Sequence, residues 1–278
     1  MVVVAYGEEP SQFVRVTYPE GDCRPCRCAV IIHGGFWKAQ YGIDSAAIES
    51  LAPFFVSKGY VAVEVEYRRV GNGGGWPYTN QDIAAALAVL NGPALSGGDG
   101  GTSMGGWVDK DNVVVVGHSA GGQLALWVCA EMCARAAAAD AGAVGAALRP
   151  ALCVALSPVG DLAEAVARRL SDSGDAVQVY MGSDDPSDAR YKDADPAQRL
   201  PLPLPTLVVA GGSDEDVPAD YVDAFYHKCA SARSAAPADV PTGPLAMLVV
   251  KDCDHYAMVN AGSVGWGEIF ASLEAMLV

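Results

Sequence analysis

The chain has 278 residues, 51% of them hydrophobic, with a formal charge of −15 and a pI near 4.5. A chain of this length buries a substantial core without disulfide staples. Its acidity argues against nucleic acid and anionic membrane surfaces as partners, while saying little about a small substrate, whose local field differs from the net charge.

The segment Met1–Pro10 lacks a basic leader region and its apolar run is short, so it does not read as a signal peptide. No later stretch is apolar and long enough to span a bilayer. The alanine-rich run near residues 136–147 is interrupted by Asp140, Gly142 and Gly145. A soluble, cytoplasmic protein is expected. Phe13–Tyr18 alternates and predicts an early strand. Cys23, Cys26 and Cys28 form C-x-x-C-x-C, but no second Cys/His pair follows at partner spacing. Neither a metal site nor a cofactor is expected there, and free thiols running into a strand are the simpler reading. The eight cysteines permit disulfides, though no secretory leader supports them.

Cys28–Ile32 reads as a buried strand that ends at His33-Gly34-Gly35-Phe36-Trp37. A helix is predicted over Ala46–Ser57, with Gly59 closing it, followed by a strand over Tyr60–Tyr67 and a helix over Thr79–Leu90 that carries Asp82. Residues Gly92–Gly106 are rich in Gly and Ser and predict a surface insertion. They do not form a phosphate loop, because no G-K-[ST] follows. The valine run Asn112–Val116 then feeds Gly117-His118-Ser119-Ala120-Gly121, and a long helix runs on toward Ala136. Strands over Ala151–Leu156, Pro205–Ala210 and Leu245–Val250 and helices over Ala219–Ala232 and Gly265–Leu277 complete the pattern. The polar stretch Asp161–Leu200 is placed to cover a substrate. Apolar strands alternating with helices imply one α/β domain over 1–278, with a mostly parallel sheet covered by helices on both faces.

In such sheets function collects at the carboxyl ends of the strands. G-x-S-x-G between a strand and a helix is the context of a nucleophile elbow, which makes Ser119 the candidate nucleophile. A serine hydroxyl needs a base, and the base needs an orienting carboxylate. Of the four histidines, His33 opens the glycine loop, His118 neighbours the serine, and His227 falls in a helix with a solvated face. His255 stands just past the last strand and is the base. Asp214, first after the Gly211-Gly212 turn, is favoured as the carboxylate. Asp216 stays open as an alternative or as a helix cap, and Asp252 and Asp254 flank the histidine. The N–H of Ala120 and those near Gly34 and Gly35 are candidates for an oxyanion hole. Phe36, Trp37 and Tyr256 are candidate substrate-binding residues, with core packing the commoner fate of such aromatics. The close pair Phe36-Trp37 predicts a short acyl pocket.

These residues resemble the α/β-hydrolase superfamily. More narrowly, His33-Gly34-Gly35-Phe36-Trp37, Gly117–Gly122, Asp214 within G-x-x-D-x-x-V-P, Asp254-His255, Tyr67-Arg68 and Trp76-Pro77…Asp82 look like kynurenine formamidases (arylformamidases) and related small esterases. The resemblance covers nearly the whole chain and implies the α/β-hydrolase fold, with Ser119, Asp214 and His255 as the triad and no cofactor. Ala210 departs from the pattern, where many relatives carry histidine. The expected activity is removal of a small acyl group through an acyl-enzyme. An aryl formamide such as N-formylkynurenine is the first substrate class, a short-chain ester the alternative, and a non-catalytic ligand-binding homologue a third reading. A homodimer is compatible with the sequence.

Overall fold

The structure is a computed structural model that describes residues 1–21, 24–91, 107–138, 148–263 and 265–277. The insertion over Gly92–Gly106, Cys23 and most of the alanine-rich run after Ala138 lie outside the described residues. Among those described, eight strands form one sheet. They are β1 (Val2–Ala5), β2 (Phe13–Thr17), β3 (Cys26–Ile32), β4 (Val61–Glu66), β5 (Val108–His118), β6 (Leu152–Leu156), β7 (Thr206–Gly211) and β8 (Leu245–Val250). Their order is β1-β2-β4-β3-β5-β6-β7-β8. The first two strands run antiparallel and every pair from β4 to β8 is parallel. The chain therefore has the α/β-hydrolase fold that its sequence implied.

The period-two side-chain rule of strands explains why helices cover both faces. Val30, Ile32, Val63, Val65, Val113, Val115 and Val208 belong to one apolar cluster. With them pack α2 (Tyr78–Ala88), α3 (Ala120–Ala138) and α7 (Ala219–Ala235), through residues such as Leu87, Leu124 and Phe225. Their neighbours Ala29, Ile31, Ala62, Val114, Val116, Leu207 and Val209 belong to the opposite cluster. There α1 (Leu51–Ser57) and α8 (Trp266–Met276) contribute Phe55, Trp266 and Leu273. The central strands are buried on both sides, which is why their sequences are continuous valine-rich runs rather than alternating ones. No helix among the described residues is long and apolar enough to cross a membrane.

Three expectations need correction. The helix predicted from Ala46 begins only at Leu51, because Ala47 takes a left-handed φ of 58° that no helix continues through. Strand β1 was not anticipated. It is four residues long, too short to show a period, and pairing with β2 creates it. Cys26 is not a free thiol but disulfide-bonded, whereas Cys28, Cys129, Cys133, Cys153, Cys229 and Cys253 are free.

The polar stretch after β6 folds into α4 (Leu162–Arg168), α5 (Ala176–Met181) and α6 (Ala189–Ala194). Asp195 ties its two ends together. One carboxylate oxygen accepts from Leu162 N (3.0 Å) and Ala197 N (3.0 Å), so the start of α4 is anchored to the chain leading into β7. Burial is the main cause that raises the Asp195 pKa from 3.8 to about 6. A carboxyl whose pKa is higher folded than unfolded contributes stability that is complete below about pH 4 and declines as pH rises through about 6. We expect Asp195→Asn to remove this titration. Unfolding midpoints measured from pH 4 to pH 7 should shift in the variant's favour as pH rises, by on the order of 2–3 kcal/mol. Parallel curves for the two proteins would contradict the assignment.

Candidate active site

Strand β5 ends at His118, and the chain turns at Ser119 directly into α3. Ser119 has φ 56°, a left-handed conformation rare for a residue with a side chain and tolerated where surrounding structure enforces it. The enforcement is visible in the neighbouring glycines. A Cβ on Gly117 would stand 2.1 Å from Gly121 O, and one on Gly121 would stand 2.3 Å from Ile32 O and 2.4 Å from His33 O. The turn can close, and α3 can lie against the end of β3, only because both positions lack side chains. Ser119 N donates to Leu156 O (2.9 Å) of β6, and Ser119 O accepts from Val159 N (3.1 Å), so the elbow is also fixed to its other neighbour.

Beyond β7 and β8 stand the two partners that the sequence nominated. The His255 Nδ1–H donates to Asp214 Oδ2 (2.8 Å). Asp214 Oδ1 accepts from Val217 N (2.8 Å) and Asp216 N (3.0 Å), so its carboxylate is held at both oxygens. Ser119, Asp214 and His255 are all buried. Ser119 Oγ has no hydrogen-bond partner, and it lines the same cleft as His255. Of the acidic candidates, only Asp214 bonds the histidine. Asp216 does not cap α7 either, since Pro218 occupies the cap position without a side-chain bond. Asp254 accepts from the backbone of Tyr256 and Ala257 and so shapes the histidine loop. Oxygen and nitrogen atoms of Asp214, Asp216 and His255 approach one another within 4.8 Å, a set that could accept a cation. Two of the three are already committed to each other.

His33 lies behind the site, whereas His118 lines the cleft beside Ser119. Burial pushes the His33 pKa down to about 3, so it is neutral. Its Nδ1 lies 2.8 Å from Gly34 O, which fixes Nδ1 as the protonated nitrogen and leaves Nε2 facing Arg69 at 3.4 Å. Its ring stacks on Tyr67 (4.3 Å), whose hydroxyl donates to His33 O (2.7 Å). The motif histidine thus braces the glycine loop from within. His118 is also neutral, held well below the usual range by burial and then by the charge of His255, whose ring lies 4.4 Å away. His227 sits exposed on α7, as expected.

The glycine loop passes close to the serine. A Cβ on Gly34 would lie 2.9 Å from Ser119 Cβ. Among the described residues, the backbone N–H groups of Gly35, Phe36 and Ala120 donate no hydrogen bond. Unused donors beside an unpartnered hydroxyl are what an oxyanion hole requires. The Phe36 N–H had not been singled out in the sequence. Phe36 and Tyr256 line the cleft, an open space of about 520 Å³ that also includes Tyr41, Ser45, Ala46, Asp172 and Asp216. Trp37 does not, and its assignment to substrate is corrected. It is fully buried, stacks on Tyr180 (4.3 Å) and donates from Nε1 to Gln123 Oε1 (3.2 Å). Gln123 in turn donates to Ala194 O (2.8 Å). The tryptophan therefore joins the glycine loop to α3, α5 and α6. Tyr41 and Asp172 carried no motif signal; only the loop paths bring them to the cleft.

Arg68 and Asp82, two more positions of the resemblance, form an ion pair. Arg68 donates from its guanidinium to both Asp82 oxygens (2.8 and 2.9 Å), and its own N–H donates to Asp82 Oδ2 (2.9 Å). This pair pins the chain leaving β4 to α2 and serves architecture.

The elbow geometry yields a stability test. Gly121→Ala should destabilise the protein by at least about 2 kcal/mol, because backbone carbonyls cannot yield cheaply. Gly267→Ala on α8, where a Cβ meets nothing within 4 Å, should be neutral or stabilising by up to about 1 kcal/mol. Urea unfolding of the two variants beside the parent protein checks both. Equal midpoints would remove the steric argument.

Comparison with known proteins agrees with this fold. Esterase B from Lactobacillus rhamnosis superposes with a TM-score of 0.69 at 21% identity, over 99% of this chain and 84% of that one. A truncated carbohydrate esterase from gut microbiota gives 0.74 at 16% identity, over 100% and 95%. An acetyl ester-xyloside bifunctional hydrolase from Caldicellulosiruptor lactoaceticus gives 0.72 at 17% identity, over 99% and 94%. At these identities the likeness speaks for the fold. No curated protein matches the sequence. The sequence model of the BD-FAE family matches residues 15–229, most of the chain from β2 to the middle of α7, and the chain belongs to the BD-FAE family.

Proposed function

We propose that the protein is a serine esterase that cleaves small acyl esters through an acyl-enzyme. The observation that carries this reading is the unpartnered, buried Ser119 Oγ in a cleft shared with His255, whose other nitrogen is held by Asp214. In this reading His255 Nε2 takes the serine proton as Oγ attacks the ester carbonyl. The N–H groups of Ala120 and Gly35 receive the negative charge, and Asp214 holds the imidazolium in place. His255 then returns the proton to the leaving alkoxide, and water repeats the sequence to free the acid. Asp214 rather than Asp216 takes the orienting role, because only Asp214 bonds Nδ1.

The substrate expectation moves from aryl formamide to ester. Esterase B, the carbohydrate esterase and the acetyl ester-xyloside hydrolase are named for ester substrates. A short acyl pocket remains our expectation, with Phe36 and Tyr41 rather than a Phe36-Trp37 pair as its aromatic residues.

Ser119→Ala should lower kcat/KM on p-nitrophenyl acetate by on the order of a million-fold while leaving the unfolding midpoint nearly unchanged. A loss of only a few-fold would remove the assignment. Asp214→Asn should cost on the order of ten-thousand-fold and Asp216→Asn far less; the reverse order would transfer the role to Asp216. Across C2 to C10 p-nitrophenyl esters, kcat/KM should peak at C2 to C4, with each excluded methylene forfeiting roughly 0.8 kcal/mol of burial. Turnover of N-formylkynurenine above all esters would restore the formamidase reading.

A further inference from the structure

The cleft around Ser119 has a charge of one sign. Asp172 and Asp216 are the aspartates that line it, and among the described residues no lysine or arginine does. They arrive from different elements. Asp172 lies between α4 and α5, and Asp216 lies between β7 and α7. Neither carboxylate makes a hydrogen bond or ion pair with another described residue, although other surface aspartates such as Asp44, Asp188 and Asp220 pair with arginines. One carboxylate oxygen of Asp216 lies within 4.8 Å of an oxygen of Asp214 and a ring nitrogen of His255, so it adds a second negative charge beside that of Asp214. Two phenol rings, Tyr41 and Tyr256, line the same cleft. The Tyr256 hydroxyl has its pKa raised, first by burial and then by Asp216, Tyr41, Asp172 and Asp214, which places these acids within electrostatic reach of one ring. In the same cleft Ser119, 1% exposed, carries a hydroxyl without a partner. The free carboxylates therefore line the same cleft as the candidate nucleophile.

We propose that Asp172 and Asp216, with the faces of Tyr41 and Tyr256, form a cation-accepting subsite beside Ser119, so that the protein prefers esters bearing an ammonium group and rejects anionic ones. Carboxylates without partners attract a cation at little desolvation cost to themselves, and tyrosine faces bind quaternary ammonium through their quadrupoles. An anionic substrate meets repulsion from both carboxylates and from Asp214. The inference rests on the esterase reading above and names the substrate class for that site.

The test compares three acetate esters of similar size: acetylcholine, its neutral isostere 3,3-dimethylbutyl acetate, and an acetate ester ending in a carboxylate. At low ionic strength kcat/KM should favour acetylcholine over the neutral isostere on the order of ten-fold, with the difference mainly in KM, and the preference should shrink in about 0.5 M salt. The anionic ester should be the poorest. The ratio of cationic to neutral ester is then measured for Asp172→Asn, Asp216→Asn and the double variant. Taking the ratio within each variant cancels any change in His255 itself. Each single change should lower the ratio, and the double change should bring it near one. Hydrolysis of the neutral and cationic esters at equal kcat/KM, or a ratio unmoved by both substitutions, would overturn the subsite and leave the esterase reading standing. Hydrolysis of none of the three would overturn both.

Discussion

The backbone of α3 meets the end of β3 so closely that a methyl group on Gly121 would stand 2.3 Å from Ile32 O. The site depends on this contact. It sets the elbow that holds Ser119 at a positive φ, and it brings the serine beside the glycine loop, where Gly34 comes nearly as close. A hydrogen bond from Ser119 N to Leu156 O of β6, and one that Ser119 O accepts from Val159 N just beyond it, fix the remaining side. Strain of this kind persists only where the surroundings over-determine it. Here the parallel pairing of β5 with both β3 and β6 does so.

The electrostatics divide along the same line. Burial keeps both His33, behind the loop, and His118, on the cleft wall, neutral. At the cleft, Asp214 is committed to His255 and to two backbone N–H groups, while Asp172 and Asp216 are committed to nothing. The network through Trp37, Gln123 and Ala194 keeps the loop, the elbow helix and the α4–α6 segment in register with each other.

Ser119, His255 and the strand pattern were legible because each has a local signature. A valine run buried on both faces, a G-x-S-x-G turn and a histidine after the last strand leave their marks within ten residues. Asp214 was half legible. The sequence favoured Asp214 and left Asp216 open as the alternative, and the hydrogen bond to Nδ1 separates them. Trp37 was misread because proximity to a motif does not tell which way a ring packs. The stacking partner that claims it, Tyr180, is far away in sequence. Tyr41, Asp172 and the free N–H of Phe36 had no local sign at all.

The sequence by itself determined the alternation of strands and helices, the place of the elbow, and the positions of Ser119 and His255 after strand ends, because these follow from periodicity and from the steric needs of single turns. Only the tertiary structure decided which aspartate holds the histidine, which aromatic rings reach the cleft, that β1 exists, and that the cleft is acidic. Each of these is set by contacts between residues distant along the chain, whose geometry is fixed only when the sheet has formed.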